Sequence, residues 1–301
     1  MPCTSRWSPT IGGSAARTLA CGSCTSCRLD YSRSWATRCM DEAQLWEHNE
    51  YVTLTYDPEN LPPDLNLVHR HYVLFQKRLV NHFARLKQNA IDGRPNYKLK
   101  NRYYMSGEYG EENGRPHYHA ILFNTWFEDR KYHCKTDAGA KLYTSELLTR
   151  LWGLGFASTG DVTWESAAYV ARYVMKKINE KGKTKTENKY REIINPETGE
   201  IIKRIQPYSQ MSRSPGIGKK WIEKYAADVY PHGLKVVNGH EIRPPRYYDE
   251  HFKKLHPQKY KQLSAKRAEE GLKKFDDNTN TRLNAKEIVT DRKLTLLKRK
   301  I

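Results

Sequence analysis

Residues 102–123 read Arg102-Tyr-Tyr-Met-Ser-Gly107-Glu108-Tyr-Gly110-Glu-Glu-Asn-Gly114-Arg-Pro-His117-Tyr-His119-Ala-Ile-Leu-Phe123. Arg102 to Gly107 and His117 to Phe123 are short runs rich in aromatic and aliphatic residues. Gly110-Glu-Glu-Asn-Gly114 between them has the composition of a loop. The stretch therefore predicts two strands joined as an antiparallel hairpin. Alternation with period two sends His117 and His119 to one face with Ile121 and Phe123, and Tyr118, Ala120 and Leu122 to the other. Glu108 ends the first strand, and the hairpin brings it back beside the histidines. Two imidazoles and a carboxylate suit Mg²⁺ or Mn²⁺ engaged with phosphate oxygens, and the same set can hold Zn²⁺.

Outward from this hairpin, Tyr51-Val-Thr-Leu-Thr-Tyr56 alternates and is closed by Asp57-Pro58, which predicts a strand. Tyr72, Phe75, Leu79, Phe83 and Leu86 recur every three or four residues and predict an amphipathic helix. Ser145 to Trp152 reads as a further helix and Phe156 to Val162 as a short strand. The order is β-α-β-β-α-β followed by an extra helix. It predicts an α+β fold: a ferredoxin-like or RRM-like antiparallel sheet with helices on one face.

The extra helix carries chemistry. Thr163 is placed to cap it, with Glu165 in its first turn where the macrodipole favours an anion. At ~100° per residue, Ala167, Val170, Ala171, Val174 and Ile178 form an apolar stripe. Tyr169, Arg172, Tyr173 and Lys176 share the opposite face. Phenolic hydroxyls among cations are stabilised as phenolates, the form that attacks phosphorus.

The 301 residues carry 52 Lys and Arg against 34 Asp and Glu, a formal charge of +18, together with 20 Tyr and seven Trp. Such a balance points to a polyanionic partner with bases to stack, which is nucleic acid. Residues 251–301 alone hold 15 Lys and Arg and six Asp and Glu. Their isolated Leu and Phe predict a basic tail of frayed helices or disorder. No apolar run approaches the ~20 residues that span a bilayer, and the first twenty lack a secretory pattern, so no membrane partner and a reducing cytoplasmic setting are expected. The composition divides the chain into a cysteine-containing segment 1–48, a core 49–180, a linker with a hairpin insertion 181–206, a Pro/Gly/aromatic segment 207–250 and the tail 251–301.

Cys21-x2-Cys24-x2-Cys27, taken with Cys39, is a candidate four-thiolate Zn²⁺ site, with buried reduced thiols as the alternative. Gly216-Ile-Gly218-Lys219 lacks the spacing and the Ser or Thr of a phosphate-binding loop, so no ATP-driven helicase is expected.

Several stretches together resemble HUH-type rolling-circle replication initiators, above all those of microviruses of the gokushovirus group. They are Tyr51-Val-Thr-Leu-Thr-Tyr-Asp57, Gly107-Glu-Tyr-Gly-Glu111, Gly114-Arg-Pro-His-Tyr-His-Ala120, Gly160-Asp-Val-Thr163, Ser166-Ala-Ala-Tyr-Val-Ala-Arg-Tyr173 and Met211-Ser-Arg-x-Pro-Gly-Ile-Gly218. The resemblance covers roughly residues 20–250. It implies that Tyr169 and Tyr173 are nucleophiles, that His117, His119 and Glu108 hold the metal, and that Lys176 is the motif's lysine. Arg172, three residues after Tyr169, departs from that lysine. The implied reaction nicks an origin strand, leaves a 5′-phosphotyrosine and a priming 3′-hydroxyl, and later rejoins the ends. Origin DNA, a host helicase and a host DNA polymerase would be its partners in the bacterial cytoplasm. A transposase or relaxase of the same chemistry is one alternative, although mobilisation relaxases usually place tyrosine before the histidines. A non-catalytic, zinc-stabilised nucleic-acid-binding protein is the other.

Overall fold

The computed structural model describes residues 3–6, 10–11, 14–15, 19–88, 101–110, 113–136, 139–172, 192–194 and 199–296. The chain opens with the short strands β1 (Thr10–Ile11) and β2 (Ser14–Ala15), then helix α1 (Thr25–Ala43). Next come β3 (Asn49–Thr55), α2 (His69–Gln88), β4 (Arg102–Tyr109), β5 (Pro116–Phe123), β6 (Lys131–Lys135) and β7 (Lys141–Thr144). After them run α3 (Glu146–Trp152), β8 (Ala157–Asp161), α4 (Trp164–Arg172), β9 (Glu192–Ile194), β10 (Ile201–Lys203) and β11 (Tyr208–Met211). The remainder is α5 (Lys219–Val229), β12 (Lys235–Val237), β13 (His240–Ile242), α6 (Arg246–Leu255), α7 (Pro257–Leu272) and α8 (Asn280–Leu296). Two compact units result, one of residues 42–217 and one that joins residues 1–41 to 218–299.

The first unit is α+β and holds a seven-stranded antiparallel sheet in the order β11-β4-β5-β3-β8-β7-β6. The four strands read from the sequence are β3, β4, β5 and β8, and they sit side by side as β4-β5-β3-β8. Two additions were not expected. The β6–β7 hairpin extends one edge, and β11, from the segment read as accessory, pairs with β4 on the other. The hairpin read at Ile193–Ile202 is present, with Ile201 opposite Ile194 and Ile202 opposite Ile193.

One sheet face is the hydrophobic core. Val52, Leu54, Met105, Tyr118, Ala120, Leu122 and Ala157 meet Tyr72, Phe75 and Leu79 of α2 and Leu148, Leu151 and Trp152 of α3. Each fully buried large side chain contributes roughly 1.5–3 kcal/mol relative to exposure. Local signals hold α3 in place. Ser145 caps it by accepting from Leu148 N at 2.9 Å, and Arg78 donates to the carbonyls of Leu151 and Trp152 at its end, both at 2.6 Å. The following turn demands glycine, because a Cβ on Gly155, with φ +144°, would lie 2.2 Å from Asp57 N. The helices expected on one face are α2 and α3. Helix α4 lies over the opposite face, where the ring of Tyr169 meets that of His119.

In the second unit, helices α6, α7 and α8 occupy most of the stretch read as a frayed or disordered basic tail. Long-range polar contacts supply what its sparse apolar residues do not. Arg267 of α7 pairs with Asp249 of α6 at 2.7 Å and donates to Gly233 O at 3.0 Å, while Tyr230 stacks on Phe252 with ring centroids 3.8 Å apart. Asp41 is buried against Lys235 and accepts from Tyr248 Oη at 2.8 Å. None of these partners is near the other in sequence, so periodicity alone does not reveal them. Among the described residues no helix is long and apolar enough to cross a membrane.

Candidate active site

Strand pairing builds the site. In the β4–β5 register Glu108 stands opposite His117 and Ser106 opposite His119, and in the β3–β5 register Thr53 stands opposite His119. A slip of one residue would turn both histidines into the core. Tyr118 opposes it, because its ring is fully buried on the core side and its hydroxyl both donates to Val68 O and accepts from Val68 N at 2.9 Å.

The three side chains then converge. Glu108 Oε1 lies 2.8 Å from His117 Nε2 and 2.7 Å from His119 Nε2, and the imidazole rings are nearly perpendicular with centroids 4.9 Å apart. Glu108 is 1% exposed. Burial pushes its carboxyl up, but the attraction of His119 and the hydrogen bonds of both imidazoles outweigh that and hold it below the ordinary carboxylate range. Burial lowers the His119 pKa, against the pull of Glu108, and so favours the neutral ring.

The groups behind the imidazoles set their direction. His117 Nδ1 is 3.2 Å from Arg115 O, an acceptor, so it is the nitrogen that carries hydrogen there. In a neutral ring Nε2 is then a lone pair facing a carboxylate at 2.8 Å. That arrangement calls for a positive charge between them, a proton or a metal ion. His119 Nδ1 is held by Tyr51 Oη at 2.7 Å and Thr53 Oγ1 at 2.9 Å, and Tyr51 stacks on the ring, 12° from parallel. The second carboxylate oxygen, Glu108 Oε2, is buried and has no hydrogen-bond partner among the described residues. One ligand atom from each of the three residues lies within 4.8 Å of the others. Converging nitrogens, an orphaned carboxylate oxygen and hydrogen-bonded rear nitrogens fit a divalent cation.

Helix α4 reaches this face as the sequence predicts. Thr163 and Ser166 cap it reciprocally, Ser166 N donating to Thr163 Oγ1 at 3.2 Å and Thr163 N to Ser166 Oγ at 2.9 Å. Ala167, Val170 and Ala171 are fully buried, as the apolar stripe requires. Tyr169 is half-buried and sets its ring edge-on to His119, with centroids 5.0 Å apart. Tyr173 and Lys176 lie outside the described residues, as does the side chain of Arg172.

Two residues behind the site escaped the sequence reading. Tyr51 and Thr53 were read only as strand formers, yet they orient His119. The signal was their alternate spacing on one face of a strand that pairs with the histidine strand. The thiol group differs from the expected set. Cys3, Cys21, Cys24 and Cys27 bring their Sγ atoms within 4.8 Å of one another, and Cys39 is not among them. Helix α1 begins at Thr25, so Cys39 lies twelve residues along it from Cys27. That is about 18 Å of helix rise.

The family model described as Replication-associated protein ORF2/G2P matches residues 49–178. The chain is 37% identical over 255 residues to replication-associated protein VP4 of Bdellovibrio phage phiMH2K, covering 84% of this chain and 73% of that protein. It is 30% identical over 241 residues to replication-associated protein ORF2 of Spiroplasma virus 4, covering 77% of this chain and 66% of that one. Replication-associated protein ORF4 of Chlamydia phage 1 is 27% identical over 242 residues, with 79% of this chain and 54% of the relative covered. The chain thus spans about two thirds of the Spiroplasma virus protein and about half of the Chlamydia phage protein. No solved structure matches it. At 37% identity to the phiMH2K protein, of which it covers 73%, the chain belongs to the phage replication-associated proteins of the microvirus type.

Proposed function

We propose that this protein starts rolling-circle replication as a metal-dependent, site-specific single-stranded DNA endonuclease and strand transferase with a ferredoxin-like HUH core. The observation that carries the reading is Tyr169, set edge-on at 5.0 Å to His119 on the sheet face that also bears Glu108 and His117. A nucleophile and a phosphate-polarising site are then within reach of one phosphodiester.

Glu108, His117 and His119 would hold Mg²⁺ or Mn²⁺, which as a Lewis acid supplies polarisation of the phosphate. Tyr51, Thr53 and the Arg115 carbonyl keep the imidazoles aimed. The Tyr169 phenolic oxygen attacks phosphorus and gives up its proton to water. The bond from phosphorus to the 3′-oxygen breaks, and that oxygen takes a proton. The products are a 5′-phosphotyrosine and a free 3′-hydroxyl, which a host polymerase extends while a host helicase opens the duplex. Tyr173, four residues after Tyr169 in the sequence, is the second nucleophile, cleaving the regenerated origin. The released 3′-hydroxyl then attacks the first phosphotyrosine and returns the phenol, closing the circle. Arg172 and Lys176 offset the charge that develops on phosphorus. These steps belong in the host bacterial cytoplasm.

The test is to incubate the protein with origin-bearing single-stranded DNA and Mn²⁺ and resolve the products on a denaturing gel. A protein–DNA adduct mapped by tryptic digestion to Tyr169 or Tyr173 is expected. An adduct on any other residue, or cleavage undiminished in EDTA, would overturn the mechanism.

A further inference from the structure

Among the described residues outside the candidate active site, Cys3, Cys21, Cys24 and Cys27 form a further group of metal-ligating side chains. We propose that these four thiolates bind one Zn²⁺ as a structural site that fastens the segment around Cys3 to the start of α1.

The geometry is that of a mononuclear site. Zinc–sulfur bonds of about 2.3 Å in a tetrahedron set the sulfurs about 3.8 Å apart. Cys3 Sγ and Cys24 Sγ are 3.8 Å apart, and all four Sγ atoms lie within 4.8 Å of one another. A disulfide would need about 2.05 Å, and all four cysteines are free. An iron–sulfur cluster interposes several iron and sulfide atoms between its thiolates and would hold them further apart than a single ion does.

Backbone amides point at two of these sulfurs and favour negative charge there. Cys21 N donates to Cys3 Sγ at 3.3 Å, and Ser23 N and Cys24 N donate to Cys21 Sγ at 3.4 and 3.2 Å. Cys24 directly precedes α1 and Cys27 lies in its first turn, where the positive end of a 19-residue helix adds to the effect. Gly22, with φ +74°, allows the tight turn that points these amides inward. Four soft sulfur donors select zinc over Mg²⁺ or Mn²⁺, whereas the carboxylate-containing site on the sheet does not. The two sites can therefore be emptied separately.

The experiment uses the full-length protein, purified under reducing conditions and dialysed against EDTA to strip the carboxylate–histidine site. Mass spectrometry for metals should find one zinc per chain still bound. Replacing it with Co²⁺ should give the intense near-ultraviolet sulfur-to-cobalt charge-transfer band of a tetrathiolate, which the sheet site cannot produce. Cys3→Ser and Cys24→Ser should weaken Co²⁺ binding at least tenfold, while Cys39→Ser and Cys134→Ser keep the full band. If the ligand variants fail to fold, the wild-type readouts decide alone. Six thiols that react freely in native protein without releasing zinc would overturn the proposal. So would iron in place of zinc, disulfides among these cysteines in protein kept reduced, or loss of the band in Cys39→Ser.

Discussion

Glu108, His117 and His119 come from two paired strands, whereas Cys3, Cys21, Cys24 and Cys27 come from irregular chain that meets the start of a helix. The first group stands on a frame that exists without it: the ligands ride on β4 and β5, whose other face is a buried core. The second has no such frame, because β1 and β2, between Cys3 and Cys21, are strands of only two residues each. A site built on a packed sheet can be tuned for chemistry, since losing a ligand costs function and spares the fold. A site that closes otherwise loose chain contributes folding free energy directly.

The comparison breaks most sharply on activity. His117→Ala should cut nicking of an origin strand by about 1000-fold or more, and the Tyr169→Phe, Tyr173→Phe double variant should form no covalent adduct. The urea midpoint of each should stay close to wild type, because His117 is partly exposed and Phe keeps the ring. A midpoint that falls together with activity would mean that the sheet site is structural after all, and the contrast with the thiols would vanish.

How much of this was legible beforehand follows the same division. The sheet unit announces itself because strand and helix periods repeat over several residues, and because the His-x-His spacing fixes a face. Thr163 signalled its helix through capping chemistry that acts within four residues. Cys3 could not be assigned from spacing, since eighteen positions separate it from Cys21 and only the folded chain brings them together. The order of α7 within the stretch expected as frayed helices or disorder was hidden for the same reason: Arg267 meets Asp249 eighteen residues away. β6 and β7 were missed because β6 is an edge strand and mostly exposed, and neither strand shows a clean alternation of burial.

The frame itself is the next target. Arg102 is 5% exposed at the start of β4, donating from Nε to Glu42 at 2.6 Å and from Nη2 to Pro215 O at 2.8 Å. Removing one partner leaves a buried charge unpaired, so Glu42→Ala should destabilise the sheet unit by about 3–5 kcal/mol. Chemical denaturation monitored by tryptophan fluorescence measures this. A loss below about 1 kcal/mol would place the pair among surface bridges in energy.

A smaller effect tests the frame through pH. Glu50, on β3, is fully buried beside Thr159, with Arg130 Nη1 at 3.4 Å and its cross-strand partner Asp161 at 3.2 Å from the same nitrogen. Burial pushes its carboxyl up to about 7 against the hydrogen bond of Thr159 and the attraction of Arg130. The folded protein then keeps this proton through a range where the unfolded chain, ionising near 4.5, has released it. The contribution of Glu50 is therefore largest at low pH and falls as pH rises from about 4.5 through about 7, by about 3 kcal/mol at most. Glu50→Gln should flatten this part of the stability profile between pH 5 and 8. If wild type and variant run parallel across that window, Glu50 ionises at its ordinary value.

The finest distinction concerns what stands behind the ligands. Tyr51 Oη, 2.7 Å from His119 Nδ1, shares that nitrogen with Thr53 and aims Nε2 at Glu108. Tyr51→Phe removes the hydroxyl but keeps the buried, stacked ring, so packing is preserved and one hydrogen bond to the imidazole is lost. Hydrogen-bonded partners of metal-ligating histidines typically contribute about 10- to 100-fold to metal affinity. Nicking by Tyr51→Phe should accordingly need about 10-fold more Mn²⁺ to reach half its maximal rate, and the rate at saturation should recover most of the wild-type value. The residual Thr53 contact argues for the lower end of that range, and Thr53→Val added to Tyr51→Phe should carry the loss further. Should the single variant instead lose its saturated rate with an unchanged Mn²⁺ requirement, Tyr51 would act on Tyr169, the proposed nucleophile, rather than on His119. The sheet site would then be organised around its tyrosine more than around its ion.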